Sequence, residues 1–235
     1  MNLENPGPRE VEPEPAVPPE HLDDRPALLE GRETTEGSPF GRGFKDRECR
    51  EFRAMYEDEY HEPMTRSTPV EKFADPRETV QRINPDYDKG REYQQNCADC
   101  ARCFERTWRG NREEAAGRAE TPDADGNLAV RGEDFTRTER WAGETFTRTE
   151  DVAAIRTALE QGGHGSSAII GSSWENGRAR GGHAYNLVNH QGRILVVDAQ
   201  DGQVMEFDDK TVHPGFAKSY GHRVMMWDRN GERIF

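Results

Sequence analysis

The last third of the chain holds four short apolar runs, Ser167 to Gly171, Ala184 to Asn189, Arg193 to Ala199 and His222 to Trp227, and only His190-Gln191-Gly192 separates the second from the third. Runs of that length, bounded by glycine and polar residues, read as strands, and so short a connection forces the chain to double back as an antiparallel hairpin. The register then decides which side chains share a face. If His190 and Gln191 form a two-residue loop, His183 lies directly across from Asp198. If Gln191 and Gly192 form it, Tyr185 faces Asp198 and His183 faces Gln200, a diagonal neighbour of Asp198. Both registers put His183 and Asp198 on one face within reach of each other, whereas a three-residue loop without a bulge would separate them.

Ahead of these strands the periodicity is helical. Thr149 can cap a helix with Glu150 and Asp151 in its first turn and Val152, Ile155 and Leu159 on one face, ending at Gly162-Gly163. Residues 96 to 109 form a second helix, with Asn96 as N-cap, Cys97 at the first helical position and Asp99 in the first turn, closed by Gly110. Phe44, Phe52, Met55, Tyr56 and Tyr60 recur at three- and four-residue steps, the pattern of an amphipathic lid or accessory helix over 44–60. Proline-punctuated connector follows, with a short helix near Glu78 to Ile83. Residues 111 to 148, with an Asp125-Gly126 turn and Phe135, Trp141 and Phe146 as their only sizeable anchors, read as mostly loop. Helices first and an antiparallel sheet second make an α+β fold.

Composition sets the remaining bounds. Of 235 residues, 33% are charged and only 32% hydrophobic, a density that leans toward disorder if spread evenly. It is not spread evenly, because eight of the 14 prolines fall before residue 40 among repeated acidic groups. Residues 1–43 therefore read as a disordered Pro-rich acidic tail or linker, and 44–235 as one domain, with its core over about 80–235 and an accessory helix and connector over 44–79. A net charge of −13 argues against a nucleic-acid partner, since phosphate binding needs clustered positive charge. No run approaches the ~18 apolar residues of a membrane span, and the first residues lack the basic and apolar regions of a secretory signal.

An imidazole held by a carboxylate is the base-and-orienter half of a nucleophilic triad, lacking only the nucleophile. Cys97 is the candidate, because a helix N-terminus lowers a thiol pKa and presents backbone N–H groups to an oxyanion. The ordinary expectation for Cys100 and Cys103 is that of small buried side chains. His21, His61, His164, His190 and His213 sit in loop or tail contexts where a solvated ring is the default. The competing chemistry is metal binding, since Cys97, Cys100 and Cys103 form a C-x₂-C-x₂-C run that Cys49 or a histidine would have to complete from afar. Clustered rather than spaced cysteines point to a reducing compartment.

Several segments together carry a family likeness. Asn84-Pro85, then Asn96-Cys97-x-x-Cys100, Trp141-Ala142-Gly143, Gly182-His183-Ala184-Tyr185-Asn186-Leu187-Val188-Asn189 and Asp198-Ala199-Gln200-Asp201-Gly202 resemble the papain-fold toxin family of glutamine deamidases, over about residues 80 to 210. These occur as C-terminal domains of bacterial polymorphic toxins and injected effectors. The resemblance implies a papain-like cysteine-hydrolase fold with Cys97 as nucleophile, His183 as general base and acid, and Asp198 orienting the histidine. No cofactor and no metal enter that chemistry. Nothing corresponds clearly to the papain-type oxyanion glutamine; Gln94, Gln95 and Asn96 lie close to Cys97, and Gln200 either lines the site or supports the hairpin end. Cys103 and the Arg-rich stretch before Thr149 depart from the family pattern.

The same triad serves a peptidase or a transglutaminase, and a non-catalytic cysteine-ligated metal module stands as the reading from a different class. The family implies a protein substrate with an accessible glutamine in a target cell, an immunity protein, an upstream delivery module, and neither nucleic acid nor membrane as partner. It also implies export by a specialised secretion route, with the domain active in a reducing cytoplasm.

Overall fold

A computed structural model describes residues 43–61, 66–122 and 125–235, so the tail expected over 1–43 lies outside it apart from Gly43. In chain order the elements are α1 (Cys49–Arg53), β1 (Thr68–Pro69), α2 (Pro76–Thr79), α3 (Cys97–Trp108), β2 (Asn111–Arg112), β3 (Glu120–Pro122), β4 (Leu128–Val130), α4 (Phe135–Ala142), β5 (Thr147–Thr149), α5 (Val152–Gly162), β6 (Ser167–Asn176), β7 (Ala179–His190), β8 (Arg193–Asp198), β9 (Gln203–Glu206) and β10 (Lys218–Trp227). Among the described residues no helix is long and apolar enough to cross a membrane.

The four expected strands form the centre of a six-stranded antiparallel sheet ordered β5-β10-β6-β7-β8-β9. Alternation along β7 and β8 sends Ala184, Val188, Leu195 and Val197 to a core shared with α3, and Tyr185, Leu187, Ile194 and Val196 to one shared with α5. Helices thus cover both faces of the sheet. Of the expected α5 face, Ile155 and Leu159 are fully buried. Its cap is Asp151, whose carboxylate accepts from the Ala154 N–H, while Thr149 ends β5 and accepts from the Asp151 N–H.

Two expectations change. The 44–60 stretch is not one helix but α1 flanked by 3-10 turns, broken at Tyr56 (φ −141°, ψ 42°), whose ring lies under the Arg137 guanidinium at 3.8 Å. It packs along the flank of α3 that carries Asp99 and Cys103, as a buttress and not as a lid. The described part of 111–148, about half of it outside helix and strand, also holds α4 and short strands that the sequence had not announced. Asp134 caps α4 by accepting from the Thr136 N–H, Gly143 ends it in the left-handed region (φ 73°), and Trp141 is fully buried.

Both corrections have one cause. The polar side chains of α3, including Asp99, Arg102 and Glu105, are buried, so this helix has no solvent face. Arg53 of α1 meets Asp99 at 2.8 Å, Arg102 meets Asp99 at 3.0 Å and Glu133 at 2.8 Å, and Arg106 meets Glu113 at 3.0 Å. These ion pairs tie both segments to α3, beside the few apolar anchors they carry, such as Phe52 and Trp141.

Candidate active site

The β7–β8 hairpin turns on Gln191 and Gly192, both at positive φ (55° and 87°), with His190 opposite Arg193 and Asn186 opposite Val197. This is the second of the two registers. The ladder stops at Asn186↔Val197, so the stretch of β7 bearing His183 has no β8 partner, and its imidazole is placed to meet both Asp198 and the start of α3. His183 Nε2 lies 2.6 Å from Asp198 Oδ2, and Cys97 is near enough to the ring to act on its charge. With Nε2 committed to the carboxylate, Nδ1 is the nitrogen left for the thiol.

The start of α3 is clipped to the loop that follows Asp198. Asn96 does not cap the helix through its side chain, as its position had suggested. Its amide instead donates to Asn84 Oδ1 at 3.1 Å and to the Ala116 carbonyl at 3.1 Å. Its oxygen accepts from Gln200 Nε2 at 3.3 Å, and Asn84 donates to the Gln200 carbonyl at 2.7 Å. Gln200 also donates its backbone N–H to Asp198 Oδ1 at 3.2 Å. Asn84, Asn96 and Gln200 therefore fix the distance between the thiol and the imidazole. Gln94 is exposed and donates to the Tyr87 carbonyl, and Gln95 is half-buried. Among the described residues no hydrogen bond joins either to Cys97 or His183.

Charge distribution follows from this packing. Burial disfavours a charged His183, but the Asp198 carboxylate, its hydrogen bond and Cys97 outweigh it and hold the imidazole pKa well above its ordinary value. Burial likewise opposes a charged Asp198, and His183 followed by His213 reverse this, bringing it well below the usual carboxylate range. Cys97 is the half-buried member of four free cysteines. Burial pushes the Cys49 and Cys100 thiols up, away from nucleophilic reactivity. The C-x₂-C-x₂-C run does not converge on one centre. Cys103 groups instead with Cys49 and Glu113, whose carboxylate is already bonded by the Cys49 N–H at 2.6 Å and by Arg106 at 3.0 Å.

His213, expected to be solvated in a loop, is 4% exposed, and its Nε2 lies 3.2 Å from the same Asp198 Oδ2 that His183 uses. Its ring stacks on Phe216 (centroids 4.2 Å apart) and meets Tyr185 edge-on at 4.8 Å. No periodicity surrounds it, so local pattern held no signal for its burial. His183, Asp198 and His213 are close enough together for a metal ion, but the facing nitrogen of each ring is already used on Asp198, so the cluster is complete as a set of hydrogen bonds.

With that geometry in hand, residues 95–203 match the family model described as papain fold toxin 1, glutamine deamidase. No curated protein and no solved structure matches the chain. The matched segment runs from just before Cys97 to just past Asp198 and leaves His213 outside. Over these residues the chain is similar to the papain-fold toxin family of glutamine deamidases, a family of hydrolases that act on an amide C–N bond.

Proposed function

We propose that this chain converts a glutamine of a target protein to glutamate through a thioester on Cys97, with His183 as proton carrier and Asp198 as its orienting carboxylate. One observation carries the reading: His183 is hydrogen-bonded to Asp198 at 2.6 Å and lies next to Cys97, the first residue of α3, which acts on its charge. The Cys97 thiolate attacks the carboxamide carbon. The resulting oxyanion is received by first-turn N–H groups of α3, which have no partner within the helix and which the Asn96 side chain leaves uncapped. As the C–N bond breaks, the His183 imidazolium gives its proton to the nitrogen, and ammonia departs to leave the thioester. Water then adds to the thioester carbon, His183 takes its proton, and the C–S bond breaks to return the thiolate and release glutamate. A neutral side chain becomes negative, a change that disrupts a desolvated interface in the target.

The nucleophile must stay a free thiol, so the working compartment is a reducing cytoplasm, reached in a target cell by specialised secretion. An immunity protein in the producing cell and an upstream delivery module complete the reading. The test is quantitative peptide mass spectrometry on bacterial and eukaryotic lysates treated with the intact protein or its Cys97→Ala variant. Gln-to-Glu conversions that depend on Cys97, without new peptide termini, are expected and would name the substrate. New termini would identify a peptidase, and amine adducts at glutamine a transglutaminase.

A further inference from the structure

His213 is a buried titratable group beside Asp198 that the mechanism above does not use, and it comes from outside the segment matched to the family. Its two ring nitrogens have unequal partners. Nδ1 faces the Gly215 backbone N–H at 3.1 Å, and Nε2 faces Asp198 Oδ2 at 3.2 Å. A nitrogen that accepts from a backbone N–H carries no proton, so the hydrogen sits on Nε2 and points at the carboxylate. The ring therefore donates through Nε2 to Asp198 and accepts at Nδ1.

Resting on the triad reading, we propose that His213 is a positioning residue, held as its Nε2–H tautomer, that shares Asp198 Oδ2 with His183 and thereby fixes the carboxylate and limits its pull on the His183 proton. Asp198 then accepts from three directions: His183 and His213 on Oδ2 and the Gln200 N–H on Oδ1. A carboxylate whose charge is divided among three donors attracts an imidazolium less than one bonded to His183 and Gln200 alone. The other titratable groups around the cluster are Cys97, Asp201, Tyr87 and Tyr185. The Tyr185 hydroxyl is taken by Ser172 at 2.8 Å, so it does not replace His213 as a donor to Asp198. Removing the His213 donor should thus raise the pH at which His183 loses its proton and loosen Asp198 in its seat.

Nitrogen-15 NMR of the histidine rings in the intact protein tests this without any substrate. His213 is expected to show the Nε2–H tautomer, its Nδ1 accepting from the Gly215 N–H. The His183 midpoint is expected to move to higher pH in His213→Phe, which keeps an aromatic ring on Phe216, and to return towards wild type in His213→Gln, whose amide restores a donor. Once a substrate is in hand, kcat/KM should fall about 3- to 10-fold in the phenylalanine variant, the worth of one hydrogen bond, and recover in the glutamine variant. A His213 ring protonated on Nδ1, or equal His183 midpoints in the two variants, would overturn the proposal. The triad reading has a separate control: Cys97→Ala should lower the His183 midpoint, and an unchanged midpoint there would sink the triad while the His213 tautomer still reports on its own bond to Asp198.

Discussion

Alanine at His183 is expected to slow Gln-to-Glu conversion by roughly 10²- to 10⁴-fold, the usual worth of a positioned acid–base group, and to lower the unfolding transition as well, because Asp198 loses its shorter partner. In the proposed mechanism the imidazole serves two steps, giving a proton to the departing ammonia and taking one from water, so its loss affects both halves of the reaction. In the proposed mechanism it also activates the Cys97 thiol, so the variant should react slowly with iodoacetamide at neutral pH, whereas the wild-type protein should be alkylated at Cys97. The other thiols will not obscure the measurement, because Cys49, Cys100 and Cys103 are fully buried. The pH profile follows in sign from the same contacts. His183 is held well above the ordinary imidazole value, so the upper limb of kcat/KM, where the imidazolium is lost, should lie well above that value. Asp198 is held well below the usual carboxylate range, so its own titration should not shape the profile near neutrality. Fast alkylation of Cys97 in His183→Ala at neutral pH would contradict this account.

The parts of the fold that could be read in the sequence are those decided by local periodicity. β6, β7, β8 and β10 each contain an expected run, and a two-residue turn placed His183 and Asp198 on one face because side-chain direction alternates strictly along a strand. The helix beginning at Cys97 followed from its spacing and its closing Gly110, although Asn96 turned out to bond Asn84 and Gln200 instead of capping. Hidden parts were those held by charge at long range. Nothing near Phe44 or Tyr56 announces that Arg53 will reach Asp99, and nothing near Glu133 announces Arg102, since a buried ion pair leaves two ordinary polar residues in the sequence. α4 was the avoidable miss, because Asp134 and Gly143 bracket it with a cap at each end. His213 was hidden for the same reason as the ion pairs: it lies in the loop between β9 and β10, and its contact with Asp198, at the end of β8, leaves no local pattern.

The buried charge on α3 supports the second large prediction. Arg102→Ala should destabilise the protein by about 3–5 kcal/mol, because it removes one member of a desolvated network and leaves the others without it. Arg102 is wholly buried, donates to Asp99 Oδ1 at 3.0 Å, to both Glu133 oxygens at 2.8 and 2.9 Å, to Thr138 at 3.1 Å and to the Tyr60 hydroxyl at 3.2 Å, and lies over the Phe52 ring. After its loss Asp99 keeps Arg53 and the Ala116 N–H, but Glu133 keeps only Tyr60 at hydrogen-bond distance, with Arg118 at 3.8 Å. The cost should therefore fall mainly on Glu133, and Arg102→Met combined with Glu133→Leu should recover much of it, since an apolar pair of similar volume need not pay desolvation. Urea unfolding of the wild type, both single variants and the double measures the coupling directly. Because Arg102 joins α3 to the 43–61 and 111–142 segments, the same loss should expose these two first to proteolysis and leave the sheet protected. A destabilisation below about 1 kcal/mol, or additive effects in the cycle, would mean that apolar packing and not the ion network holds the two polar segments to the helix that carries Cys97.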